Sequence, residues 1–223
     1  MGTHKHTWVL HLSSMLFISV GIVSADSPHY LTALDIRRVK VEGEIGRRID
    51  ITVNNNILAA DVDKDFLLPF KERNRRDGYI GLGKFIDSLA RFAAYTNDER
   101  VLALKKHVVA ETLRTQEPDG YIGLCVPESR MWALWDLHEM GYLVLGLTTD
   151  YRYFGEKASL EGARRLADYI IGRWSEDPQQ KTDGWISVYV ATTGLEEAML
   201  ALHEWTGEER YLNFCVGHRG LRE

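Results

Sequence analysis

Two stretches decide the fold: Ala93-Ala94-Tyr95-Thr96-Asn97-Asp98-Glu99-Arg100-Val101-Leu102 and His203-Glu204-Trp205-Thr206-Gly207-Glu208-Glu209-Arg210-Tyr211-Leu212. Each reads as a helix end, a tight polar turn, and a new helix opening on Arg and an apolar or aromatic pair. A shorter version is Leu147-Thr148-Thr149-Asp150-Tyr151-Arg152-Tyr153-Phe154. With turn threonines at 96, 149 and 206, the spacing is 53 and 57 residues, which fits one antiparallel helix pair per repeat. Working outward, apolar residues at helical spacing predict helices near 44–60, 83–96, 98–116, 130–148, 156–173, 194–206 and 208–217. Strand patterning is confined to a short β-like start at Val39 and Val41.

A second element also recurs. Asp77-Gly78-Tyr79-Ile80-Gly81-Leu82 returns unchanged at Asp119 to Leu124, and in altered form as Asp183-Gly184-Trp185-Ile186. Asp-Gly makes a turn because glycine tolerates positive φ, so the following aromatic is held at a fixed place between helices. Helix pairs with aromatic-bearing loops at one end describe an all-α toroid of the (α/α)6 type, inner and outer helices alternating around a central pit. An open helical solenoid is the other architecture such repeats allow.

Composition agrees with a folded chain. Of 223 residues, 45% are hydrophobic and 26% charged, which excludes a disordered or fibrous protein. A formal charge of −5 gives no basic surplus for nucleic acid. Residues 1–25 read as a secretory signal peptide: a weakly basic start at Lys5, an apolar core from Trp8 to Val23, and Val23-Ser24-Ala25 as a small-residue cleavage site. His11, Ser13 and Ser14 interrupt that core, which falls short of the roughly 20 apolar residues of a membrane span. The expectation is a secreted or periplasmic protein, off the membrane after cleavage, with an extended lead-in at 26–43 and a helical domain at 44–223. Cys125 and Cys215 are expected to be unpaired core thiols, although export permits a disulfide.

Candidate site residues cluster in three places. Gln116-Glu117-Pro118-Asp119-Gly120-Tyr121 brings acids, an amide and the aromatic Tyr121 to a helix–loop junction, and flat rings with acid or amide edges suit a sugar. A turn whose tyrosine only packs in the core is the plainer alternative. Trp132, Trp135 and Glu139 are three and four residues apart, so one helical face is expected to carry all three; His138, adjacent to Glu139, cannot share that face, and either of the two can enter the pit while the other supports it. Glu196 and Glu197 open a helix, where acids favour the dipole and one can also face the pit. No GxSxG, P-loop, Rossmann glycine pattern, HExxH or CxxC occurs.

These segments resemble the β-L-arabinofuranosidase family, glycoside hydrolase family 127. Gln116 to Ile122 is similar to its "AQxPDGY" segment, and His138 to Leu143 to its "HELYxxGHL" helix. Glu196 to Leu212 resembles its "EIELALVxLYxxTGExxYL" helix pair, and Lys84-Phe85-Ile86-Asp87 its "YKWIE" helix. The resemblance implies an (α/α)6 barrel that hydrolyses glycosides from the non-reducing end, with a carbohydrate substrate. It places the family's sugar-contacting histidine on His138, the next Glu on Glu139 and the later-helix acid on Glu196. The family's "GHPE" is matched by Ala191-Thr192-Thr193-Gly194, so Thr192 stands where the family has His. The family's zinc-bound cysteine nucleophile and general-acid glutamate belong to a later part of the barrel. No metal ligand or cofactor is expected in this chain, therefore, and the zinc is implied only for the full-length family.

Length completes these expectations. Removing 25 of 223 residues leaves 198, whereas six hairpins at this spacing need roughly 300. About seven helices of an incomplete toroid are expected, with exposed apolar helix faces that favour self-association and no catalytic activity of its own. An unsaturated-uronyl hydrolase toroid, a non-catalytic carbohydrate-binding or interaction protein, and an inactive truncated fragment are the alternatives.

Overall fold

A computed structural model describes residues 34–133, 135–176 and 193–220, all within the compact unit that begins at Leu34. The leader at 1–25, the third loop copy at Asp183–Ile186 and Thr192 lie outside the described residues.

Among the described residues, eight α-helices follow in order: α1 Gly43–Thr52, α2 Leu68–Glu72, α3 Leu82–Thr96, α4 Glu99–Arg114, α5 Asp136–Phe154, α6 Lys157–Glu176, α7 Leu195–Thr206 and α8 Glu209–Asn213. Five-residue π-helical turns extend α1 through Ile57, lead into α2 from Asp63 and extend α8 to His218. No strand forms among the described residues. Val39 keeps extended angles after the 3-10 turn Ile36–Arg38, and the β contact present is an isolated bridge between Arg75 and Cys125. Nor is any described helix long and apolar enough to cross a membrane.

The helices form hairpins in two layers. Inner helices α3, α5 and α7 pack side by side, and α4, α6 and α8 return along the outside. The layering follows from burial. From Asp136 to Asp150 every residue of α5 is buried except Tyr142, because neighbours cover it on nearly all sides. In α4, by contrast, Val101, Lys105, Val108, Val109 and Thr112 are covered, in steps of three and four, and the opposite face is polar. Leu82, Ile86 and Leu89 of α3 meet Leu137, Met140, Leu143 and Val144 of α5 in the core.

The repeated turns are alike at atomic detail. Asn97 and Gly207 are both left-handed, with φ of 52° and 69°, and their amides bond to Ala93 O and His203 O. The hydroxyls of Thr96 and Thr206 each donate to the carbonyl four residues back, at 2.8 Å, and each accepts the amide two residues on, at 3.2 Å. The middle turn is displaced from its expected place. Thr149 lies inside α5, donating to Asp87 Oδ1 at 2.6 Å, and the helix ends at Gly155, φ 68°. Glycine carries no Cβ penalty there, so the chain turns at the first residue able to adopt the left-handed form cheaply.

Two further expectations are corrected. The helix expected at 130–148 starts instead at Asp136 and ends at Phe154. A 3-10 turn at Pro127–Ser129 and a positive φ of 72° at Met131 interrupt the earlier stretch, and the Met131 amide donates to Asp136 Oδ2 at 2.7 Å. The segment Asp63–Glu72, which lies outside the expected helices, is also helical, and Pro69 does not break it. Proline is tolerated in the first turn, where its missing N–H has no partner to lose, and Pro69 sits there in α2.

Candidate functional site

The two identical hexapeptides have opposite fates. In the second, Tyr121 is fully buried. Its hydroxyl donates to Asp136 Oδ1 at 2.8 Å and accepts the Cys125 amide at 3.1 Å, with the Arg130 guanidinium 4.1 Å over its ring. Glu117 pairs with Arg73 and, bidentately, with Arg130, and these guanidiniums hold its carboxyl below the usual carboxylate range. Gln116 Nε2 donates to Gly120 O and Gly162 O. This loop is scaffold: it is pinned beneath α6 and has no ring on the surface.

In the first hexapeptide, Tyr79 is half-buried and faces α5. Its ring lies 5.1 Å from the His138 ring and 5.9 Å from Trp135. Trp135 and Tyr142 meet the same imidazole edge-on at 5.4 and 5.0 Å. Lys84, one turn into α3, places Nζ 3.3 Å from His138 Nε2 and 4.2 Å over the Tyr142 ring. An ammonium has donors only, so Nε2 is the acceptor in that contact. A histidine, a lysine and three aromatic rings thus converge where α3 and α5 begin, and each ring except the buried imidazole keeps part of its surface open. Burial, then the charges of Glu197 and Asp87, push the Tyr142 phenol up.

The convergence depends on a close helix crossing. A Cβ on Gly83 would lie 2.3 Å from Leu143 N, and one on Gly146 would lie 2.6 Å from Gly83 O. Two glycines therefore let the α3 and α5 backbones approach more closely than any larger residue allows.

The other nominated residues fall as follows. Trp135 is the residue before α5 and belongs to the cluster. Trp132 precedes the helix and so shares no helical face with Trp135 and Glu139. It packs on Trp174 at 5.3 Å instead. Glu139 is wholly buried and accepts backbone amides of Ile80, Gly81 and Gly83. Burial pushes its carboxyl up, against the pull of those amides. Glu196 binds Arg219 Nε at 2.7 Å and lines, with the exposed Glu197, a groove of about 510 Å³ between α3, α5 and α7. Arg91 of α3 and Thr149 and Arg152 of α5 also line the groove, the last two on the face of α5 that carries His138 and Tyr142. Tyr79, Lys84 and Tyr142 were not nominated from sequence. The available signal was that the first hexapeptide runs directly into a helix, which places its tyrosine at a helix mouth.

The described residues do not fit a zinc–thiolate centre. No three His, Cys, Asp or Glu side chains among them converge on a point where a metal would sit. Cys125 and Cys215 are buried free thiols, far apart in the chain. Burial pushes the Cys125 thiol far up and the Cys215 thiol up to about 11, so neither is a thiolate at neutral pH.

Solved structures share this helix arrangement. One is a family 127 β-L-arabinofuranosidase from Geobacillus stearothermophilus T6, at 21% identity and TM-score 0.59, over 78% of this chain and 31% of that one. A second family 127 β-arabinofuranosidase aligns at 18% identity and TM-score 0.62, over 80% of this chain and 32% of that one. A third, described as a glycoside hydrolase, aligns at 16% identity and TM-score 0.57, over 84% of this chain and 27% of that one. The chain thus spans about a third or less of the length of these relatives, and their likeness establishes the fold. No curated protein sequence matches. The profile of the β-L-arabinofuranosidase (glycoside hydrolase family 127) catalytic domain matches residues 31–216, and on that match the chain belongs to this family.

Proposed function

We propose that this chain forms a sugar-binding wall of a family 127 glycoside hydrolase, holding a non-reducing-end, arabinofuranoside-like sugar against Tyr79, Trp135, His138 and Tyr142. The observation that carries this reading is the imidazole of His138, ringed by three aromatic side chains at 5.0–5.4 Å and touched by Lys84 at 3.3 Å. Ring faces suit the apolar C–H face of a sugar, and the imidazole and ammonium supply hydrogen bonds to its hydroxyls. Binding, rather than bond cleavage, is assigned to these residues, because glycoside hydrolysis ordinarily needs a placed pair of catalytic groups. The buried Glu139 and the Arg-paired Glu196 make no such pair. The wider reading is an exported protein with residues 1–25 as leader. It self-associates through exposed apolar positions such as Ile45, Ile51 and Val216.

One observation favours a second reading. The contacts of Lys84 are to His138 and to the rings of Tyr79 and Tyr142, with no carboxylate partner among the described residues. An ammonium with no ion pair among the described residues suits an anionic sugar such as an unsaturated uronide. Calorimetric titration of the chain with an aryl β-L-arabinofuranoside and with an unsaturated uronyl disaccharide separates the two. Saturable binding of the furanoside is expected, preference for the uronide transfers the site to the second reading, and binding of neither ligand overturns both.

A further inference from the structure

The first turn of an α-helix leaves backbone N–H groups without partners, and a side chain just before the helix usually takes them up. Helix α3 has none: its cap residue is Gly81, left-handed at φ 85°. The acceptor comes from another helix. Glu139 Oε2 accepts the amides of Ile80 at 3.0 Å and Gly81 at 2.7 Å, and Oε1 accepts Gly83 at 3.1 Å. A carboxylate at a helix N-terminus also meets the positive end of the dipole. Glu139 is 0% exposed, so no oxygen is left to touch a ligand. Its neighbours in sequence and space are the site itself. His138 precedes it on α5, and the amides it binds lie between Tyr79 and Lys84. Asp77 adds a weaker tie, accepting the Trp135 amide at 3.4 Å.

We propose that Glu139 is a positioning residue, a cap supplied by another helix of the same chain that sets the register between the two walls of the pocket. One wall is the 77–84 segment with Tyr79 and Lys84, and the other is the start of α5 with Trp135, His138 and Tyr142. This rests on the sugar-site reading above. Glu139 differs from a merely structural carboxylate in that its loss moves Lys84 and Tyr79 relative to His138.

The test compares the full chain with Glu139→Gln and with Glu117→Gln. Glu117 is a second carboxylate that ties loops together, through Arg73 and Arg130, but it holds none of the pocket residues. Three quantities are read: the amide resonances of Gly81 and Gly83, the ring resonances of His138, and the affinity for an aryl β-L-arabinofuranoside. Glu139→Gln is expected to move the Gly81, Gly83 and His138 signals and to weaken sugar binding by about tenfold or more, the scale of a lost charge-assisted hydrogen bond. Glu117→Gln is expected to leave all three unchanged. Glu139→Asp, which keeps the charge but shortens the reach, should fall between, and it carries the test if Glu139→Gln does not fold. Unmoved His138 signals in the Glu139 variants, or equal loss of affinity in Glu117→Gln, overturn the proposal. If the unsubstituted chain binds no sugar, the sugar-site reading fails, and the register claim is decided by the His138 and glycine resonances alone.

Discussion

Asp136 accepts the hydroxyl of Tyr121 at 2.8 Å while taking the Met131 amide on its other oxygen at 2.7 Å. The start of α5 is thereby fixed to the loop beneath it. Both residues are fully buried, and burial, outweighing these hydrogen bonds, pushes the Asp136 carboxyl up to about 6.

A stability prediction follows with a definite sign. The folded state favours neutral Asp136 over ionised, so its contribution is fully present below the unfolded carboxylate value near 4. It is lost as pH rises through about 6. A shift of about 2 units corresponds to about 3 kcal/mol. Asp136→Asn cannot ionise, so its destabilisation relative to the unsubstituted chain should be largest near pH 4. It should shrink by about that amount by pH 7. Denaturant titrations of both proteins at the two pH values check it; a pH-independent difference contradicts it.

Lys105 and Asp150 form an ion pair at 2.8 Å with side chains 2% and 0% exposed, and Ser159 donates to the other carboxylate oxygen. The pair joins α4, α5 and α6. Removing one partner strands a buried charge, so Lys105→Ala should cost about 3–5 kcal/mol. Lys105→Met with Asp150→Leu should cost less than either single change, because replacing both charges leaves none uncompensated. Chemical denaturation of Lys105→Met, Asp150→Leu and the double variant measures the coupling directly.

The helix crossing gives a paired test. Gly83→Ala would drive a Cβ into the α5 backbone at 2.3 Å, whereas Gly172→Ala on α6 meets nothing within 4 Å. The first should lower stability by at least about 2 kcal/mol, since neither backbone can yield. The second should raise it by about 0.5–1 kcal/mol through helix propensity alone. Thermal unfolding distinguishes them, and equal effects would mean that the crossing tolerates more space than the structure shows.

How much of this was legible beforehand varies residue by residue. The turns at Asn97 and Gly207 could be read because a left-handed cap and a threonine one position earlier leave a local signature. Thr149 resembles that signature without making the turn, since Gly155 lies a few residues on and is cheaper to place there. His138 stood out through its motif. Nominating Tyr121 and passing over Tyr79 was the wrong choice between two tyrosines with identical immediate neighbours: Tyr121 is fully buried, and what separates them is the chain pathway after Leu82 and after Leu124. Lys84 and Tyr142 escaped notice for a different reason. Spacing within one helix shows which residues share a face, but contact across helices depends on how closely the backbones approach. Here Gly83 and Gly146 set that distance.

The central claim is that the ring cluster around His138 is the sugar site. Its most direct measurement is calorimetric affinity of the full chain for an aryl β-L-arabinofuranoside, compared with His138→Ala, Trp135→Ala and His107→Ala. His107 lies on α4 and pairs with Asp63, on the outer side. The account predicts that binding is lost in the first two variants and kept in His107→Ala. Binding that survives both His138→Ala and Trp135→Ala would contradict it.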